Sequence, residues 1–558
     1  MERKLPLSSK DNQEEKSLAY ERWENGLTLR KRKINAIILK QRFERFKKEG
    51  QKGYEINKQK LEIPNELKNK KYDDIEMFLK DMKTYIKSEN IEYNKYALYS
   101  IRVQILSNEG SNNKKLFTEL LQKYDYISDI LNLVQKYLDN KIIIFEGIWV
   151  LINILFYQNN NIDLVLFLSN QQCIQLYIKI LDKKDYDLRH CIYWLLANLL
   201  DSNNTGLISQ ILFHLYMSPL FRLYIFKDLE DINHSKLTIR DLINLFIIIS
   251  YLSDFINNTF THIRNNNIKN YIDFNSNVNY ESIKENNEFL FNQSMKIFMD
   301  NIENPELSSF CVYGLSRLTN NFDDSTYNKF FITGIWRKLV KEEIKLEEGC
   351  LSFAIQIIGN YLFYSPKNLL DPIFIEEALN YFVKLLNAYP NLQSLKRDIF
   401  WSASNISAAE DLQFCEMLVK SGLIKIVLQS IYTDNDLVLN EALFILLGFF
   451  DIKNAKIIIN YHKDLEYIKN LYLCLKRIYS KCSAGMAYNN DTILENLLNC
   501  IGFLFVIGNL FKNEYEENKF AIDFDKNGGF ELLDTMLSAS NFSQKLIEYA
   551  EELLKYRK

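Results

Sequence analysis

Ile144-Phe145-Glu146-Gly147-Ile148-Trp149-Val150-Leu151-Ile152-Asn153 sets a Trp four residues ahead of an Asn inside an apolar run without proline. Arg189-His190-Cys191-Ile192-Tyr193-Trp194-Leu195-Leu196-Ala197-Asn198 repeats that layout, and Asp398-Ile399-Phe400-Trp401-Ser402-Ala403-Ser404-Asn405 does so again. On a 3.6-residue period the two side chains stand one above the other on a single helix face. Burial alone would favour Leu or Ala beside the Trp, so an Asn there needs an amide partner or an open groove. Aligning the Trp or its replacement at 149, 194, 313, 356, 401 and 444 gives steps of 43 to 45 residues, apart from one long gap. That period matches the armadillo and HEAT range of about 40 to 47 residues. The gap between Trp194 and Tyr313 fits one further repeat near Arg240 to Leu252 plus an Asn-rich insertion from Asn257 to about Glu288.

Composition agrees with this reading. A chain of 558 residues exceeds one simple core, and 17 Gly and 7 Pro supply few breakers, which favours helices over sheets. From about Tyr72 onward the pattern is helical, in short segments parted by Asn, Asp, Ser and Gly clusters. The eight Cys form no C-x-x-C pair and the five His no metal-like spacing, which argues for a reducing compartment and against structural zinc. The N-terminus is charged where a signal peptide needs an apolar core, and the runs Leu242 to Tyr251 and Ile501 to Leu510 fall short of a membrane span of about 18 residues. A soluble protein without membrane insertion is expected.

The net charge of -3 hides an asymmetry: the first sixty residues are basic and the remainder acidic. Tyr20-Glu21-Arg22-Trp23-Glu24-Asn25-Gly26 precedes Arg30-Lys31-Arg32-Lys33. A basic amphipathic stretch through Lys40, Arg42, Arg45, Lys47 and Lys48 follows. Nucleic-acid and membrane-surface helices share such a composition, so this arm alone decides nothing.

Stacked helical repeats bury their apolar faces against neighbours, and the innermost helix of each lines a groove. A ladder of Asn amides there can bond the backbone of an extended peptide. Parallel Trp rings leave slots for Lys or Arg stems, with acidic groups at the slot ends pairing with their heads. The expected ligand is an extended basic peptide. No G-x-x-x-x-G-K, G-x-S-x-G or H-E-x-x-H run occurs, so an enzyme is not expected and no cofactor or metal is called for.

On these residues the chain resembles the importin-α (karyopherin-α) family over almost its whole length. Gly147 to Asn153 is similar to that family's second repeat, Trp194 with Asn198 to the third, Trp401 to Asn405 to the seventh and Asn440-Glu441-Ala442-Leu443-Phe444 to the eighth. Asn527 to Leu533 with Ile547 to Glu551 is similar to the closing repeat, and the basic arm to the importin-β-binding domain. The resemblance implies an all-α fold, a right-handed superhelical solenoid of about ten armadillo repeats with a basic, partly disordered arm. The expected division is an arm at 1–60, an array at 61–540 and a C-terminal capping helix at 541–558. It also implies a nuclear import adaptor shuttling between cytoplasm and nucleus. Cargo would enter by nuclear localisation signals, importin-β would bind the arm through Arg30 to Lys33 and Lys40 to Lys48, RanGTP would release it, and a nuclear export receptor would recycle the adaptor. No direct nucleic-acid contact is implied. The carried-over major site is Glu146, Trp149, Asn153, Trp194, Asn198 and Asp201; the minor site is Asn360, Trp401, Asn405, Glu441 and Phe444.

The chain departs from the family pattern at several places. The Arg240 to Leu252 segment has no Trp, Arg317 places positive charge where a basic ligand would lie, and Gly448 stands at a ladder Asn position. Ile154-Leu155-Phe156-Tyr157 replaces small residues beside the lysine pocket, and Asp201 sits one residue early. These changes imply altered cargo preference. An armadillo scaffold of the β-catenin or cytoskeletal kind, without transport, is the alternative, and the basic arm separates the two.

Overall fold

The computed structural model describes residues 64–557 apart from short stretches: 68–71, 73, 108–110, 159–160, 184, 306, 320–329, 331–332, 366–369, 410, 434, 484–490, 512–516 and 539–541. Of 201–279 it describes only Ile208, Ile211, Leu212, Leu215, Phe221, Tyr224, Asn244, Leu245, Ile248 and Ile249. The basic arm and Asp201 lie outside the described residues. So does most of the expected insertion.

Among the described residues every regular element is helical. In chain order they are α1 (Ile75–Ile86), α2 (Ile91–Ser107), α3 (Ser111–Lys123), α4 (Tyr126–Lys136), α5 (Lys141–Tyr157), α6 (Ile162–Leu168), α7 (Gln171–Leu181), α8 (Tyr186–Leu200), α9 (Tyr280–Asn301) and α10 (Ser308–Leu318). They continue as α11 (Ile335–Val340), α12 (Leu351–Tyr364), α13 (Pro372–Ala388), α14 (Gln393–Ser407), α15 (Leu412–Lys420), α16 (Leu423–Thr433), α17 (Asp436–Phe449), α18 (Ala455–Leu465), α19 (Tyr467–Ser483), α20 (Asp491–Leu510), α21 (Lys519–Lys526), α22 (Gly529–Leu537) and α23 (Gln544–Leu554). The all-α expectation holds. The chain divides into two compact units, Met1–Leu318 and Thr319–Lys558. Helix α9 begins at Tyr280, so the end of the expected insertion is helical.

The Asn and Asp clusters that part the helical runs are mostly N-caps. Asn140 Oδ1 accepts from the Ile142 and Ile143 amides at 3.1 and 3.2 Å, Asn161 from Leu164 at 3.1 Å and Asn170 from Cys173 at 2.9 Å. Asp371, Asp411 and Asn435 do the same for α13, α15 and α17. Each satisfies amides that a helix end leaves open, a contribution of about 1 kcal/mol. The chain reverses between α15 and α16 at Gly422, whose φ of +82° an L side chain rarely adopts.

In the first unit α2, α5 and α8 pack side by side as an inner row, with α1, α4 and α7 behind them. In the second unit α12, α14, α17 and α20 form the inner row, α13, α16 and α19 the outer one, and α15 bridges α13, α14 and α16. Three helices per repeat follow from the sequence period: an inner helix must bury one face on its outer partner and both flanks on its neighbours. Accordingly Ile399, Phe400, Ala403 and Ile406 of α14 and Leu439, Leu443 and Leu446 of α17 are fully buried.

Helix α20 corrects one expectation. At 20 residues it is long and apolar enough to cross a membrane, where the sequence runs were judged too short. Leu494, Leu497, Ile501, Leu504 and Phe505 are buried against its neighbours, the pattern of a core helix.

Candidate peptide-binding face

In the first unit the expected rungs are all interior. Trp149 of α5 is 4% exposed and Trp194 of α8 3%. Their rings meet edge to face with centroids 5.2 Å apart and planes at 62°. The expected parallel rings with a slot between them are not found here, because tilted aromatic pairs match ring edge to ring face. Asn153, fully buried, donates from Nδ2 to its own helix at the Trp149 carbonyl, 2.7 Å. Asn198 is buried at 6% exposure.

Glu146 stands where an acid was expected to await a basic ligand. Instead it faces Arg102 of α2: Nε donates to Oε2, and Nη2 donates to Oε1 at 3.1 Å. Both side chains are at most 1% exposed, and the Arg102 guanidinium lies 5.4 Å from the Tyr99 ring centre. A bidentate pair removes both charges from solvent together, so the Glu146 carboxylate is committed to the protein's own cation. Arg317 likewise does not point its charge into an open groove. It is 2% exposed, with its guanidinium 5.2 Å from the Tyr313 ring centre.

The second unit keeps part of its ladder accessible. Trp401 and Asn405 of α14 are half-buried on the solvent side of the inner row, as is Phe444 of α17. Asn405 Nδ2 donates to the Gly359 carbonyl of α12 at 3.1 Å, which orients the amide across the helix boundary. Gly359 is required there: a Cβ would overlap the Trp401 ring and Ser402 Oγ. Asn360, 3% exposed, donates to Thr319 Oγ1 at 2.9 Å and is an internal strut. Glu441 is 9% exposed. Gly448 is no mere lost rung. A Cβ would come within 2.7 Å of Ser407 Oγ and 3.0 Å of the Ser407 carbonyl carbon, so glycine lets α17 approach α14.

Sequence reasoning stopped the ladder at Phe444. Cys500 Sγ lies 4.0 Å from the Leu443 carbonyl and registers α20 against α17, which makes Asn499 and Phe503 the next rung. Both are half-buried on the same face. The step from 444 to 499 is 55 residues, outside the 43 to 45 rhythm, so a fixed period could not reach it.

Burial pushes the Cys173 and Cys415 thiols up to about 11 and the Cys474 thiol to about 12, so each is protonated at neutral pH and none is a poised nucleophile. Among the described residues no group of three His, Cys, Asp or Glu is placed to hold a metal.

No protein-family model matches the chain, and no curated protein sequence does. Solved structures do. An engineered protein superposes with a TM-score of 0.58 at 12% identity, over 85% of this chain and 98% of that one. A structure from work on a phosphorylation switch in the cadherin and β-catenin interaction superposes with a TM-score of 0.50 at 12% identity, over 91% and 95%. A designed armadillo repeat protein in complex with the peptide (KR)4 is similar at 15% identity over 48% and 98%, with a TM-score of 0.35. On the first two of these superpositions the chain is an all-α repeat solenoid of the armadillo-like kind.

Proposed function

We propose that this protein is a non-enzymatic adaptor of the nuclear-import type, which holds an extended segment of a cargo protein on its inner helix face and offers its basic N-terminal arm to importin-β. The observation that carries the reading is the Trp401 and Asn405 rung. An aromatic face and a pre-oriented amide stand together on the open side of a helix whose opposite side is packed through Ile399, Phe400, Ala403 and Ile406. Pre-orientation lowers the ordering cost of binding, and a carboxamide complements a peptide backbone whatever the side chains. The resemblance of Trp23 to Gly26, Arg30 to Lys33 and Lys40 to Lys48 to an importin-β-binding domain supports the second partner.

Two binding measurements test this. The full chain and a Trp401→Ala variant are titrated with extended cargo peptides, one set basic and one uncharged, and residues 1–60 are titrated with importin-β. Arm binding together with peptide binding that weakens in the variant supports the adaptor. An arm that ignores importin-β reduces the protein to an armadillo scaffold without transport.

A further inference from the structure

We infer that the segment held by the second unit's inner face is largely uncharged and is read through its main chain, not through lysine or arginine side chains. The inference rests on the peptide-binding reading above and departs from the basic ligand that the ladder pattern led us to expect. The first ground is charge. The solvent-side stripe of α14, α17 and α20 offers aromatic rings at Trp401, Phe444 and Phe503 and carboxamides at Asn405, Asn440 and Asn499. Among the described residues the carboxylates of α14, α17 and α20 other than Asp491 are engaged or withdrawn. Asp398 is fully buried with Arg397 Nη2 at 3.2 Å, and Glu441 is 9% exposed. Glu495 bonds Lys545 at 2.8 Å, and Asp436 lies 3.5 Å from Lys481. The exposed Asp491 sits two turns before Asn499, at the helix N-terminus. A lysine-rich ligand would give up its hydration here without gaining a counter-charge.

The second ground is unmet hydrogen bonding. Asn440 Oδ1 on α17 and Asn496 Nδ2 on α20 are shielded from solvent and have no hydrogen-bond partner. With Leu443 opposite Cys500, these two residues stand at nearly the same height on adjacent helices, one turn before the Phe444 and Asn499 rung. One is an acceptor and one a donor, the complement of a backbone N–H and C=O. Leaving a buried polar atom unpaired is unfavourable, and a soft χ2 rotation turns either atom toward the face. Neighbouring helix axes about 8–10 Å apart correspond to about three residues of extended chain. Three inner helices therefore accommodate a segment of about nine residues read once per helix.

A displayed library of random ten-residue peptides, panned on the full chain and on an Asn440→Ala, Asn496→Ala variant, tests this. Neither of those two unpaired atoms holds the fold together, so the variant keeps its helicity by circular dichroism. We expect peptides enriched on the parent to carry no more Lys and Arg than the library. Their affinity should change less than twofold between 50 and 300 mM salt and fall at least tenfold on the variant. Enrichment of Lys- and Arg-rich peptides with steep salt dependence and dependence on Trp401 overturns the inference while sparing the peptide-binding reading. Binding that the double substitution leaves unchanged overturns main-chain reading by these amides. No enrichment that depends on Trp401 removes both.

Discussion

Glu146→Gln should destabilise the first unit far more than an exposed acid of the same type would. In the parent, Arg102 and Glu146 share two hydrogen bonds with both side chains at most 1% exposed. Neutralising the acid leaves a guanidinium buried without a counter-charge, which typically costs about 3–5 kcal/mol. At 1.36 kcal/mol per factor of ten, 3 kcal/mol is about a 150-fold rise in local opening. Replacing both partners by apolar residues of similar volume, Arg102→Met with Glu146→Leu, should recover most of that loss, because the desolvation of both charges is then avoided. Repeat arrays need not unfold in one step, so the measurement is amide hydrogen exchange across α2 and α5 rather than a single melting temperature. Faster exchange there in the single variant, and near-parent exchange in the double variant, is the expected outcome. If Glu146→Gln leaves exchange within a factor of five and instead abolishes peptide binding, the acid serves a ligand and the internal pairing argument fails.

Gly359→Ala should displace the Trp401 ring, cost about 1–3 kcal/mol as overpacking does, and red-shift tryptophan emission; unchanged emission would place the ring elsewhere. Gly448→Asn, which restores a ladder-type Asn, should weaken rather than improve peptide binding, because its Cβ meets Ser407 backbone; tighter binding in the same titration would show that the glycine is a lost rung after all. Asn435→Ala removes the cap of α17 and should cost about 1 kcal/mol, read as faster exchange of the Leu437 and Val438 amides. Cys173 should resist maleimide at pH 7.5 in the folded chain. Its thiol is held above its ordinary range, so the native state keeps a proton that the unfolded chain loses first. Stability from this group is thus constant below the ordinary thiol range and declines as pH rises toward about 11. Labelling of Cys173 at neutral pH in the folded chain would contradict its burial.

The helices, their caps and their period were legible in the sequence because they are local. A Trp four residues before an Asn stands on one helix face whatever surrounds it, and Asn140, Asn161 and Asn435 cap the helices that follow them. The 43 to 45 residue rhythm made a helical solenoid the expected answer, and the structure bears it out. What each rung does was settled between repeats. Glu146 and Glu441 share a register in the sequence, yet one meets Arg102 from the helix before it, a pairing across 44 residues. Trp149 and Trp194 close on each other while Trp401 lies over Gly359 and stays half open, because the space beside a ring depends on the neighbouring helix and not on its own. Local periodicity is written into one chain segment, whereas burial and charge pairing arise only when two segments meet. The sequence by itself therefore determined which residues face inward along each helix, and only the tertiary structure decided which of those faces are consumed by the protein and which stay open to solvent.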